Sequence, residues 1–333
     1  MPKIALNFED GYTRIIEGWA GESVADTAYR MGINVPIDCG DGACGTCKCR
    51  VRSGNYDMGE NFIDEAITAE ELKEGFALAC QMRPESNVVI DIFASSLACK
   101  VKTETFDTSI ISIEFLSSDI VKLKVKTNDG RKINFLSGQY ANIEVPHSGK
   151  TRSYSFSSVA EEELEFLVRL LPNGLMSNFL KEKAKIGDIL KMSAPFGSFY
   201  LREAQNPILF FAGGTGIAPF LSMLESLAKQ DSKQQIHLFY GATTDENLVE
   251  LARLESFKKL LIFDYSVCVS VEKSEKYANG FVTQWITKEQ LPINYDAYIC
   301  GPPPMVDAVK EAITREGILL SNFYMEKFVP SGI

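Results

Sequence analysis

Apolar and polar positions alternate from the start of the chain. Ile4, Leu6 and Phe8 are separated by polar neighbours, Asp10-Gly11 offers a tight turn, and Thr13 to Glu17 returns. A two-residue period broken by such a turn predicts a β-hairpin. Ser23 can cap a helix running through Arg30, with Asp26 three residues on and Val24, Ala28 and Met31 along an apolar side. A strand is expected near Lys48–Val51, then a turn at Ser53-Gly54, and a closing strand over Val88–Ile92. Hairpin, helix, long loop and late strand fit a β-grasp arrangement. Residues 94–103 hold neither period and read as a linker.

From Thr105 to Pro146 the strand patterns are short: Val121, Leu123 and Val125 alternate, Asp129-Gly130 marks a turn, and Tyr140 to Val145 alternate again. With Leu164 to Leu170 they predict a small antiparallel barrel, interrupted by one helix at about Met176–Lys183. After Asn206-Pro207 the pattern changes to buried strands alternating with longer helices. Strands are expected over Ile208–Ala212, Ile236–Tyr240, Ile262–Val269, Ala297–Cys300 and Phe323–Glu326. Helices are expected over Pro219–Ala228, Asn247–Lys259, Val282–Gln290 and Met305–Arg315. Alternation of this length implies a parallel sheet covered on both faces. The expected division is 1–98, 99–205 and 206–333: a multidomain α+β and α/β chain.

Composition narrows the function. A chain of 333 residues with 45% hydrophobic and 23% charged content has room for several ordinary cores. A net charge of -10 argues against nucleic acid or an anionic membrane as the main partner. With no long apolar run, neither a secretion signal nor a membrane span is expected. Eight cysteines in such a length are no disulfide framework, so a soluble protein of the reducing cytoplasm is expected. Between Asp57 and Glu74 lie seven acids against one lysine, Lys73. Such a run is either a solvated face or a docking surface.

Cys39, Cys44 and Cys47 follow a C-x4-C-x2-C spacing, with Cys80 further on. This is the plant-type ligand set of a [2Fe-2S] cluster. Three thiolates from one tight loop must bend the backbone around two irons, and Gly40, Gly42 and Gly45 permit that. A zinc knuckle is the alternative, but it favours two close cysteine pairs, and Cys80 has no such neighbour. Cys49, Cys99, Cys268 and Cys300 stand outside the set.

Strand Ile208–Ala212 runs into Gly213-Gly214-Thr215-Gly216-Ile217-Ala218-Pro219 and then a helix. Strand, glycine turn and helix start is an arrangement that receives a pyrophosphate, although the full dinucleotide fingerprint is not present. Cys300-Gly301-Pro302-Pro303-Pro304-Met305 lies at the carboxyl end of a later strand, where open α/β sheets bind ligands. Arg152-Ser153-Tyr154-Ser155 offers an arginine for a diphosphate and a tyrosine for an isoalloxazine ring, or is a plain edge strand.

These motifs, with the terminal Glu326-Lys327-Phe328, resemble the ferredoxin–NADP reductase superfamily. Their order behind an N-terminal plant-type ferredoxin is similar to the reductase components of bacterial ring-hydroxylating dioxygenases, of the benzoate, toluate and anthranilate type. Residues 53–58, 152–158 and 195–201 carry that narrower likeness. The resemblance implies a β-grasp ferredoxin, an antiparallel FAD barrel and an α/β NAD domain. It implies that Arg152, Ser153, Tyr154 and Ser155 hold FAD, with Ser155 near its reactive nitrogen, and that Gly174, Met176 and Ser177 at a helix start receive its pyrophosphate. Gly213, Gly214, Thr215 and Gly216, with Gly301, Pro302 and Met305, would take NADH. Cys300 would sit by the nicotinamide, and Glu326 and Phe328 beside the flavin. Asp245 lies where the adenosine ribose is expected and would disfavour a 2′-phosphate. The implied reaction passes a hydride from NADH to FAD and single electrons through the cluster to a terminal oxygenase with Rieske and mononuclear iron. The reductase of a diiron monooxygenase, or a redox module that turns nothing over, would share the same motifs.

Overall fold

The computed structural model describes all residues except 38, 65, 101–102, 204–205, 272, 289–290, 292–293 and 329–333. One acid of the 57–74 run, two residues of the expected linker and the far end of the helix expected over 282–290 lie outside the described residues. The chain divides into two compact units: Met1–Glu104 with Pro195–Ser198, and Thr105–Ala194 with Phe199–Ile333.

In the first unit the opening alternation becomes a hairpin of β1 (Lys3–Phe8) and β2 (Thr13–Glu17), Lys3 facing Glu17 and Asn7 facing Thr13. Ser23 caps α1 (Val24–Arg30) by accepting from the Asp26 amide. Val24 and Ala28 are buried as expected, but Met31 is the C-cap and 39% exposed, because the helix ends before its side chain can turn inward. Next come β3 (Lys48–Ser53), the short β4 (Tyr56–Asp57), α2 (Ala69–Lys73), β5 (Phe76–Leu78), β6 (Arg83–Pro84) and β7 (Val88–Ile92). The main sheet has the order β2-β1-β7-β3-β5, with β1 and β7 parallel. Residues 94–100, read as linker, are tied to this unit. The Glu9 amide donates to the Ala94 carbonyl, the Asn34 amide to Cys99, and Ser96 donates twice to Asp10.

The barrel, which apart from Glu104, Pro195 and Phe196 belongs to the second unit, comprises β8 (Glu104–Phe115), β9 (Ile120–Thr127), β10 (Tyr140–Glu144), β11 (Thr151–Ser155), β12 (Glu163–Arg169), α3 (Leu175–Asn178) and β13 (Ile189–Phe196). The order is β11-β10-β13-β8-β9-β12, and a bridge from Phe156 to Phe166 joins the two ends. Phe135, Phe156 and Phe166 fill the interior, with the first two rings 3.7 Å apart.

The α/β part contains β14 (Ile208–Gly213), α4 (Ala218–Lys229), β15 (Ile236–Ala242), α5 (Leu251–Phe257), β16 (Phe263–Val269), β17 (Ala278–Asn279), β18 (Tyr295–Gly301), α6 (Pro303–Glu316) and β19 (Leu320–Lys327). All pairs in β17-β16-β15-β14-β18-β19 are parallel. Ile208, Phe210 and Ala212 pack on the α4 side and Leu209 and Phe211 on the α6 side, so both faces are covered. The order reverses between β14 and β18, which opens a crevice at their carboxyl ends. Two helices are shorter than expected. Over 247–259, α5 starts only at Leu251 because Glu250 is left-handed at φ 63°, and over 282–290 a single 3-10 turn, Val282–Trp285, is present.

Candidate redox sites

The cysteine loop turns on glycines with φ of 78°, 84° and 74° at Gly40, Gly42 and Gly45. The backbone of Asn61, Phe62 and Ala66 closes over two of them, and the Ile63 amide donates to the Gly42 carbonyl. Among the described residues no three metal-ligating side chains gather on one ion. The four thiols instead gather two by two. Cys47 Sγ donates to Cys80 Sγ at 3.2 Å, and Cys39 lies beside Cys44. Backbone amides lie near the sulfurs: those of Asp41 and Cys44 near Cys39, and that of Gly42 near Cys80. The hydrogen bond from Cys47 pulls the Cys80 thiol down to about 6 and pushes Cys47 up. Four thiols in two pairs with N–H donors near them fit a [2Fe-2S] cluster, two thiolates to each iron. Cys49 stands apart: it is fully buried, donates to the Ala77 carbonyl, and burial pushes its thiol up to about 12.

In the second unit three of the expected residues converge. Cys300 and Glu326 face each other in the β18–β19 register. Glu326 accepts from Ser155 Oγ at 3.2 Å and from Cys300 Sγ at 3.8 Å. Cys300 is wholly buried, and desolvation ahead of the nearby Glu326 charge holds its thiol well above the usual range, so it stays protonated at neutral pH. The Phe328 amide donates to the Gly301 carbonyl, which brings Phe328 to the same crevice. Arg152 and Tyr154 share one side of β11 by strand alternation, and burial raises the Tyr154 phenol. Ser153 lies on the other side, donating to Asn142 of β10.

The glycine turn is a backbone cradle. A Cβ at Gly213 would meet Met305 Sδ at 2.5 Å and Pro302 Cδ at 3.0 Å, and one at Gly216 would collide with the Cys300 carbonyl. The turn Gly214–Ile217, with Thr215 buried, feeds directly into α4, whose first turn holds Pro219. Bare backbone at a helix start in the switch crevice fits a dinucleotide. At the other helix start, Gly174 caps α3 and Ser177 Oγ accepts from the Leu171 amide, which pins the turn, with Met176 buried behind it. Asp245 lies apart from the crevice centre, after β15, where Ser274 donates to it at 3.0 Å. Glu246 is taken up by Ser118.

Sequence reasoning missed three residues. Arg169 reaches to 3.5 Å from the Cβ position of Gly214 and is ion-paired at 2.8 Å to Asp119, which also accepts from Asn247. Arg253 of α5 donates to Glu165 and the Ser157 carbonyl of the barrel and to Glu225 of α4, fastening the two halves of this unit. Gln81 donates to the Gly40 carbonyl and towards Cys80 Sγ. For Gln81 alone there was a signal: it is a residue with two amide donors next to Cys80, an expected ligand.

The 2Fe-2S iron-sulfur cluster binding domain family matches residues 7–85, the oxidoreductase FAD-binding domain family residues 107–200, and the oxidoreductase NAD-binding domain family residues 210–311. The chain is 48% identical to the toluate 1,2-dioxygenase electron transfer component of Pseudomonas putida, over 99% of both chains. It belongs to this family of iron–sulfur flavoprotein electron transfer components. The 2-halobenzoate 1,2-dioxygenase electron transfer component of Burkholderia cepacia is 42% identical over 98% of each chain. Among solved structures, the cytochrome P450 reductase of Amycolatopsis superposes with a TM-score of 0.77 at 27% identity, covering 99% of this chain and 100% of that one. As an electron transfer component the protein is an oxidoreductase, and it carries electrons from NADH through FAD to a [2Fe-2S] cluster. Among the described residues no helix is long and apolar enough to cross a membrane.

Proposed function

We propose that this electron transfer component supplies the terminal oxygenase of a benzoate-type ring-hydroxylating dioxygenase, an oxygenase with Rieske and mononuclear iron, and docks on it through the ferredoxin part of the first unit. The observation that carries this is the end-to-end likeness to the toluate component, 48% over 99% of both chains. Bound FAD would take two electrons as a hydride and release them singly, and a cluster on Cys39, Cys44, Cys47 and Cys80 would give them an exit one at a time.

The chain's own residues then have separate tasks. Gly213–Gly216 present bare amides to the pyrophosphate of NADH, walled by Gly301, Pro302 and Met305, with Arg169 adding a positive charge beside the turn. Arg152 and the α3 start at Gly174–Ser177 would serve the flavin diphosphate, and Tyr154 would lie against its ring. Ser155, Cys300 and Glu326 would form the wall where the two rings meet. There the Glu326 carboxylate holds the Ser155 hydroxyl and the neutral Cys300 thiol in place, and the protonated thiol offers no competing nucleophile. Phe328 closes that wall. Asp245 disfavours a 2′-phosphate and so selects NADH over NADPH. A hydride step needs no general acid or base.

The test is reconstitution. Purified protein, NADH and a benzoate-type oxygenase should form the cis-diol at a rate that rises with the concentration of this component. Rapid cytochrome c reduction without diol formation, or better service to a diiron hydroxylase, would defeat the assignment of partner.

A further inference from the structure

Gln81 joins the two distant ends of the cysteine ligand set. Its side chain is buried, at 5% exposure. Nε2 donates to the Gly40 carbonyl at 3.2 Å, one residue beyond Cys39, and lies 3.6 Å from Cys80 Sγ. The Gly40 carbonyl can only accept, so it fixes which way the amide points. With the NH2 group there, its second hydrogen is directed at the Cys80 sulfur. The Gly42 amide lies near the same sulfur on the loop side.

We propose that Gln81 is a positioning residue that raises the reduction potential of the cluster by donating to the Cys80 thiolate, and that it also latches the loop start to the last ligand. This rests on Cys80 being a ligand. Reduction adds negative charge shared by the sulfurs, and an N–H donor stabilises that charge more than it stabilises the oxidised form. Removing the donor therefore shifts the equilibrium towards oxidised cluster. The donor is one of several, so a shift of about five- to tenfold is expected, tenfold being about 59 mV for one electron.

The experiment compares full-length Gln81→Leu with the parent in a redox titration followed by visible absorption and EPR. The cluster should load, its midpoint should fall by that amount, and reduction of the flavin by NADH should keep its rate. An unchanged midpoint in the loaded variant overturns the proposal. Should Gln81→Leu fail to load iron, the wild-type protein decides: with glutamine labelled by 15N at the side-chain amide, the reduced cluster should show a 15N hyperfine coupling in pulsed EPR. Absence of that coupling also overturns it. Cys80→Ser separates this from the ligand assignment. If that variant keeps a native cluster the ligand reading fails, whereas a lost cluster together with a wild-type midpoint in Gln81→Leu condemns the role of Gln81 alone.

Discussion

A methyl group added at Gly42 would run into the Asn61 carbonyl and lie 3.0 Å from the Phe62 backbone, whereas one added at Gly40 meets nothing within 4 Å. Both residues have positive φ, so both substitutions are strained, by about 1–2 kcal/mol for the backbone alone. Gly42→Ala should therefore lose most of its cluster, while Gly40→Ala should load it with a modest loss of stability; iron per chain after reconstitution distinguishes the two. Glu22 gives a second residue-scale expectation. The Arg30 hydrogen bond first, then those from the Trp19 amide and Thr27, holds its carboxyl down at about 2 against burial. A depressed carboxyl stabilises the fold above its ordinary value of 4.5 and loses that contribution as pH falls towards 2. Urea midpoints measured between pH 4.5 and 2 should thus fall less steeply in Glu22→Gln than in the parent. The loop glycines and the four cysteines proposed as ligands stand out in the sequence because their spacing states a chemical need. Arg169 and Asp119 do not, because their meaning lies in a contact between distant strands and turns.

At the scale of elements, the acidic segment between β4 and β5 splits into two kinds of residue. Thr68 and Glu71 cap α2 reciprocally, and Glu71 also pairs with Lys48 at 2.6 Å, so that acid holds structure. Asp57, Glu60 and Asp64 are exposed, and the backbone between them packs on the cysteine loop. Neutralising those three should slow electron delivery to the oxygenase at low ionic strength and flatten its salt dependence, since exposed charges act mainly on encounter. Stopped-flow rates across a salt series test this, and identical salt slopes would return the segment to a solvated face. Strands and hairpin were readable because burial on one or both faces imposes a period on them. The helix expected over 247–259 was overread, since its first turn is committed elsewhere. Asn247 is bound by Thr243 and Asp119, Tyr240 donates to its carbonyl, and Glu250 adopts a left-handed backbone that no period announces.

For the whole molecule, the order of electron flow predicts what survives dissection. A chain of residues 102–333 keeps the barrel and the parallel sheet, and it should still bind FAD and reduce ferricyanide with NADH. It should not pass electrons to cytochrome c at the normal rate, because the one-electron exit through the cluster has gone. Undiminished cytochrome c reduction by that fragment would refute the order. The fold class was legible throughout, since three regimes of hydrophobic pattern follow one another along the chain. Less legible was how the regimes are fastened, which depends on single side chains such as Arg253 with no motif around them. That cation reads as a part number stamped on both pieces. An engineer who grafts a foreign NAD module onto this barrel near residue 206 would leave Glu165 as a buried carboxylate without its guanidinium unless the newcomer brings an arginine at the same place. Shuffling of reductase modules, in the laboratory or in evolution, is therefore constrained at this joint to donors that carry the matching charge.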